Sequence, residues 1–249
     1  MYVYSMIVLV HGVPETADLW NKLRPHLHGD SVALSLPGFG CERPAGFAAT
    51  KDDYANWLVQ ELSKINEPID LIGHDWGALL TYRVATNHGE LLHSWAAELS
   101  NALHPSYVWH DFAQIWQTPG DGEEFFKNQL TQPIEARAAV FEMFGVAKND
   151  ATELADKADE TMSSCILDLY RSATPNPYAT WGAQISKTIA PGMVLIPTED
   201  PFGDETASLE MASMLGATTS KLEGLSHWWM LQDPERAAGT INQFITSVK

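Results

Sequence analysis

Ile69-Asp70-Leu71-Ile72-Gly73-His74-Asp75-Trp76-Gly77 is the stretch on which the reading of this chain turns. Ile69–Ile72 is a short, mostly apolar run and reads as a buried strand. Gly73 and Gly77 bracket a segment that must turn sharply with little side-chain crowding. From about Gly77 to Asn87 the pattern becomes helical. A strand that breaks into a helix through such a turn is a nucleophile elbow, usually written G-x-S-x-G. Here the apex residue is Asp75 rather than serine. The following helix aims backbone N–H groups and its positive dipole end at that carboxylate, which favours the ionised form. Aspartate is also a common helix N-cap, so the segment alone leaves two readings.

The surrounding pattern places the elbow in a layered fold. Strands are expected at Ile7–Val10, Ser31–Leu36, Ile69–Ile72, Leu92–Leu99, Gly192–Pro197 and Thr219–Glu223. Helical spacing falls at Thr16–Leu27, Asp52–Ile65, Gly77–Asn87 and Pro234–Ser247. Continuous apolar, β-branched strands alternating with helices imply an α/β, doubly wound, mostly parallel sheet with helices on both faces. Ligands bind such sheets at the carboxyl ends of the strands. Residues 102–185 interrupt the alternation with helical, aromatic and acidic stretches. The expected organisation is therefore a core of residues 1–101 and 186–249 with a helical insertion at 102–185.

Three further segments converge on strand ends. His227, in Gly224-Leu225-Ser226-His227-Trp228-Trp229, follows the last strand. Asp200, in Thr198-Glu199-Asp200-Pro201-Phe202, follows the Gly192–Pro197 strand, with Asp204 as the next choice of acid and Glu199 after it. The order nucleophile, acid, histidine is that of Ser…Asp…His hydrolases, with Asp75 in place of serine. The turn His11-Gly12-Val13-Pro14 can aim the Val13 amide at the site opposite that of Trp76, giving a two-donor oxyanion hole.

Composition narrows the partners. The 249 residues carry 15 basic and 32 acidic side chains, a formal net charge of -17. Such a chain repels nucleic acid and anionic membrane surfaces. The apolar run Met6–Val10 is too short to span a membrane and lacks a basic leader, so the expected compartment is the cytoplasm. Cys41 and Cys165 are read as reduced thiols. His26 and His28 lack a third ligand nearby, and neither a metal nor a cofactor is expected. A homodimer is compatible with the sequence.

The segments HGVPETADLW (11–20), LPGFG (36–40), LIGHDWG (71–77), PTEDPFGDE (197–205) and GLSHWWMLQDPE (224–235) together resemble the Asp-nucleophile branch of the α/β-hydrolases. That branch comprises epoxide hydrolases, haloalkane dehalogenases and fluoroacetate dehalogenases. The resemblance implies that 102–185 is a helical cap; the family usually has two strands ahead of the His-Gly strand, whereas ten residues precede His11 here, so the expected sheet departs from the family in lacking the first edge hairpin. It implies SN2 attack by Asp75 to form an alkyl-enzyme ester, which water activated by His227 and Asp200 then hydrolyses. Leu169-Tyr170-Arg171 is similar to the epoxide-hydrolase segment that carries a ring-opening tyrosine, so Tyr170 is the expected acid. The second tyrosine of that family falls near Phe112, which cannot donate a proton; Tyr107, Tyr178, His110 or water are the substitutes. His110, Phe112, Trp116 and Trp228 are expected to line an apolar pocket for a small apolar substrate. The arginines that bind a carboxylate in fluoroacetate dehalogenases are replaced by Trp76, Leu79 and Leu80. The leading expectation is an epoxide hydrolase. A dehalogenase is the alternative, and a ligand-binding protein on a hydrolase scaffold is the third reading.

Overall fold

The computed structural model describes residues 5–248. Six strands, β1 (Met6–Val10), β2 (Ser31–Leu34), β3 (Ile69–Gly73), β4 (Ser94–Ala97), β5 (Gly192–Pro197) and β6 (Thr218–Leu222), form one sheet in the order β2-β1-β3-β4-β5-β6. Every pairing is parallel. Among the described residues β1 is the first strand. The apolar runs that suggested two-sided burial are buried throughout β3 and β5. Alternate residues feed opposite cores: Val8, Val10 and Leu71 face one cluster, and Ile7, Leu9 and Ile72 the other. The edge strand β6 is mostly exposed, which explains its weak hydrophobic signal.

Helices α1 (Lys51–Leu62), α2 (Trp76–Asn87) and α8 (Glu205–Leu215) bury Tyr54, Leu58, Tyr82 and Met211 in the first cluster. Helix α10 (Pro234–Ser247) buries Ile241, Phe244 and Ile245 in the second. Thr50 and Asp53 close a reciprocal capping box at the start of α1, and Asp233 caps α10. Between β4 and β5 lie α3 (Asp111–Gln117), α4 (Asp121–Thr131), α5 (Ile134–Glu142), α6 (Lys148–Asp156) and α7 (Glu160–Ser172). The short helix α9 (Trp229–Gln232) follows His227. No helix among the described residues is long and apolar enough to cross a membrane.

Three expected elements differ. Thr16–Leu27 is not one helix but two 3-10 turns, Ala17–Trp20 and Arg24–His26. Pro25 removes a backbone donor and disfavours helical geometry at the residue before it, so an α-helix cannot run through. Strand β2 stops at Leu34, because the Leu36 amide leaves the ladder to donate to His11 Nε2 at 3.1 Å. Strand β4 is only the centre of the expected Leu92–Leu99, with the 3-10 turn Ser100–Leu103 following.

The chain leaves β1 towards β2 on one side and returns to β3 on the other, so the β1/β3 boundary is the topological switch point where such sheets bind ligands. Two glycines make this boundary tight. A Cβ on Gly77 would lie 2.2 Å from the Val10 carbonyl oxygen, and one on Gly12 would lie 2.3 Å from Asp75 Cβ. Backbone cannot yield as a flexible side chain does. Gly77→Ala is therefore expected to cost about 3 kcal/mol, the upper end for overpacking, read as a lowered urea midpoint. An unchanged midpoint would refute the close contact between α2 and β1.

Candidate active site

Asp75 sits at φ 50° and ψ −118°, a left-handed conformation rare for a residue with a side chain. Its carboxylate makes no capping bond to α2, so it is not spent as an N-cap. The Val13 amide donates to Asp75 Oδ1 at 2.8 Å, bringing the turn after β1 to the elbow after β3. Asp75 is partly exposed, and it lines a cavity at the strand ends. Burial raises its pKa, His227 lowers it and Glu15 raises it again, for a value of about 6.

His227 is 2% exposed, and its Nδ1 lies 3.0 Å from Asp200 Oδ2. The Phe202 amide donates to the other Asp200 oxygen at 2.9 Å. Asp204 caps α8 through the Ala207 amide, so Asp200 is the acid beside the histidine. Burial pushes Asp200 up, but contact with His227 holds it below the usual carboxylate range. Burial pulls His227 down, while Asp200 and Asp75 carry it above its ordinary value. Of the two expected oxyanion donors, the Val13 amide already contacts Asp75, and Trp76 opens α2 next to it.

Beneath these groups lies a polar layer that the sequence reading missed. Glu15, His74 and Glu98 are each fully buried. His74 Nδ1 is 2.8 Å from Glu98 Oε1, and His74 Nε2 is 3.8 Å from Glu15 Oε1. The Trp228 indole donates to Glu15 Oε1 and the Trp229 indole to Glu98 Oε2, both at 3.0 Å. The Asp75 amide donates to Glu98 Oε1. Burial alone would keep His74 neutral, but Glu98 and Glu15 raise its pKa well above the ordinary value. His74 also packs on His227, with ring centroids 4.6 Å apart. Glu15, His74 and His227 offer atoms within 4.8 Å of one another, a spacing compatible with a metal. A histidine held as imidazolium is a poor ligand, however, and His227 Nδ1 is engaged by Asp200. The signal that could have found this layer is the charged Glu98 directly after the buried run Trp95-Ala96-Ala97.

The cavity, of about 200 Å³, lies between the strand ends and the α3–α7 segment. His110, Phe112, Trp116 and Trp228 all line it, and so does Tyr170, which is 2% exposed. Tyr107 lines it too, whereas Tyr178 does not. Phe112 stacks on Trp116 and has no proton to give. His110 Nδ1 accepts from the Ala113 amide at 3.2 Å, which assigns the ring proton to Nε2. Burial and nearby His227 hold His110 at about 4, so it is neutral and carries that donor at pH 7. Burial and the Asp75 charge push Tyr170 well above an ordinary phenol. The indole N–H groups of Trp76 and Trp116 are buried without a partner among the described residues. Arg137, from α5, is a cation on an otherwise largely apolar wall.

The family model described as the alpha/beta hydrolase family matches residues 7–240. An epoxide hydrolase 2 from Caenorhabditis elegans is 22% identical over 97% of this chain and 74% of its own length. An (E)-2-((N-methylformamido)methylene)succinate hydrolase from Acinetobacter baylyi is 28% identical over 34% of this chain. That match spans only 34% of the relative's own length. Among solved structures, a Pseudomonas aeruginosa protein described as an epoxide hydrolase superposes with TM-score 0.81 at 18% identity, covering 98% of this chain and 89% of that one. The haloalkane dehalogenase DatA from Agrobacterium tumefaciens superposes with TM-score 0.80 at 16% identity, covering 100% and 91%. At these identities the structural likenesses speak for the fold alone. The family match over nearly the whole length, carried on a parallel sheet with an elbow at its switch point, leads to one conclusion: this chain belongs to the α/β-hydrolase family.

Proposed function

We propose that the protein is a hydrolase that works through an alkyl ester on Asp75, and that its substrate is a small apolar epoxide opened to a vicinal diol. One observation carries this reading. The Asp75 carboxylate and the His227 ring, which is pinned by Asp200, open onto the same cavity as the hydroxyl or N–H donors of Tyr170, Tyr107 and His110. With Oδ1 held by the Val13 amide, Oδ2 is the atom free to attack. It bonds to a ring carbon, the carbon–oxygen bond breaks, and the alkoxide takes a proton from Tyr170. Burial and the neighbouring Asp75 charge keep that phenol protonated until it is needed. His110 Nε2–H supplies the second hydrogen bond that Phe112 cannot.

Oδ1 then becomes the ester carbonyl oxygen, already beside the Val13 amide. Water attacks the ester carbon, His227 takes its proton, and Asp200 stabilises the imidazolium. The Val13 and Trp76 amides hold the oxyanion. Collapse expels the alkoxide, which takes the proton from His227; the second water proton leaves the new Asp75 carboxyl and returns across the cavity to the Tyr170 phenolate, so that both groups are restored. Esterification also removes the Asp75 charge that helps raise the His227 pKa. Losing that charge moves the histidine in the direction of the neutral form that a base requires.

A dehalogenase is the second reading, favoured by the unpartnered indole N–H groups of Trp76 and Trp116 on the cavity wall. Such weak donors suit a departing halide better than an alkoxide. Incubation with styrene oxide and with 1,2-dibromoethane separates the two readings: diol without bromide is expected, and bromide alone would overturn the first reading. Tyr170→Phe should slow epoxide opening by about 100-fold while sparing ester hydrolysis, as read by single-turnover kinetics. Equal opening rates would show that another group is the acid. Because attack needs ionised Asp75, ester formation should fall about tenfold per pH unit below about 6 and level off above 7. A rate that stays flat down to pH 4 would exclude a carboxylate with the pKa of Asp75.

A further inference from the structure

Arg137 is the one charged side chain that α3–α7 contribute to the cavity wall, and nothing among the described residues answers its charge. The chain has six arginines. Arg24, Arg43, Arg83, Arg171 and Arg236 each donate to an oxygen at 2.7 to 2.9 Å. Arg137 makes no hydrogen bond or ion pair with any described residue, and its Nε is buried. A buried guanidinium N–H without an acceptor is costly. It is also unexpected in a chain with 32 acidic side chains. The position on the helix is equally out of pattern. Arg137, Val140 and Phe141 stand at i, i+3 and i+4 on α5, and Phe144 continues the row just past its end. All four line the cavity. Such a row is the apolar stripe of a core-facing helix, and Arg137 interrupts it. An arginine that only covers apolar surface keeps its donors in water, whereas here the Nε is buried. Asp75 is the one acid among the residues that line the cavity, and the Val13 amide holds it.

We propose that Arg137 is the binding site for a carboxylate at the far end of the substrate, which is a short epoxide with an apolar body and one terminal acid group. This rests on the epoxide reading above and narrows its substrate class. The strand ends supply Asp75 to one wall of the cavity, and α5 supplies Arg137 to the other. With the oxirane against Asp75, the apolar body crosses the aromatic lining and the acid group ends on the guanidinium. The planar fork of arginine matches the two oxygens of a carboxylate. One cation balances one carboxylate, whereas the second charge of a phosphate would stay buried and unpaired. Size limits the body. A dry cavity of about 150 Å³ holds benzene, so this one takes roughly eight to ten non-hydrogen atoms. The net charge of -17 repels an anion at long range. That field is screened within about 8 Å at physiological salt, while the pair with Arg137 is made in contact.

The test compares kcat/KM for 5,6-epoxyhexanoate and 7,8-epoxyoctanoate with that for 1,2-epoxyhexane and 1,2-epoxyoctane. In the unmodified protein at least one acid should exceed its neutral counterpart by about 10- to 100-fold, the worth of a hydrogen-bonded charge, and the gain should lie in KM. In Arg137→Leu that ratio should fall to about one or below. Arg137→Lys should lie between, because it keeps the charge and loses the fork. A neutral epoxide preferred over both acids, or an acid preference that survives Arg137→Leu, would overturn the assignment. Should Arg137→Leu not fold, Arg137→Gln carries the same expectation. A second readout needs no turnover. Tryptophan fluorescence, with Trp76 and Trp116 on the cavity wall, reports binding of hexanoate and of 1-hexanol. Hexanoate should bind about tenfold more tightly or better, and Arg137→Leu should erase the difference. Equal binding of the two by the unmodified protein would overturn the site. Tight hexanoate binding with no epoxide turned over defeats the epoxide reading and leaves the Arg137 site standing. Turnover of epoxides with no preference for the acids defeats the Arg137 assignment alone.

Discussion

The whole site depends on one contact: the Gly12–Val13 turn lying against the Asp75 elbow. It joins the ends of β1 and β3 at the switch point of the sheet, and only glycine at position 12 leaves room for the Asp75 side chain. The 2.8 Å bond from the Val13 amide fixes one carboxylate oxygen of a residue that lines the cavity. The positive φ of Asp75 keeps its carboxylate off the helix N-terminus it precedes. Such strain persists only where the surroundings over-determine it. Here they do, through Gly73, Gly77 and the Glu98 acceptor for the Asp75 amide.

Around that contact the chain buries carboxylates and histidines in alternation. Asp200 faces His227, Glu98 and Glu15 face His74, and the two rings pack on each other. A lone buried charge would be prohibitive, whereas opposite charges in contact offset much of the desolvation cost. The tryptophans after His227 complete the arrangement from the other side, because Trp228 and Trp229 each give an indole N–H to one glutamate. The last strand end therefore delivers the histidine and also the clamps for the acids beneath it. This makes Asp75, His227 and their support one connected unit rather than three motifs.

Much of this was legible in the sequence where local rules and tertiary structure agree. The parallel strands are continuous apolar runs, the elbow is written in its glycines, and α10 has the predicted bounds Pro234–Ser247. Asp200, His227 and Tyr170 stand out through strand-end position or a family motif, and the structure brings His227 and Tyr170 to the cavity that Asp75 lines, with Asp200 against His227. The failures share a physical cause. Thr16–Leu27 has helical spacing, yet Pro25 breaks it into 3-10 turns. Glu15 looks like an ordinary turn residue and Glu98 stands out only as a charge after an apolar run, because sequence spacing carries no information on which distant side chains will enclose them. Glu98 meets His74 across a strand pair and Glu15 meets Trp228 across the chain. That Tyr107 and His110 line the cavity and Tyr178 does not likewise needed the structure, since all three lie in the stretch between β4 and β5.

The central claim is that Asp75 itself becomes the ester. A single turnover with enzyme in excess, run in heavy-oxygen water and followed by mass analysis of the peptide containing Asp75, tests it most directly. Attack through a carboxylate predicts that the labelled oxygen enters Asp75 and that the first product carries none. Label found directly in the product, with the Asp75 peptide unlabelled, would contradict the account.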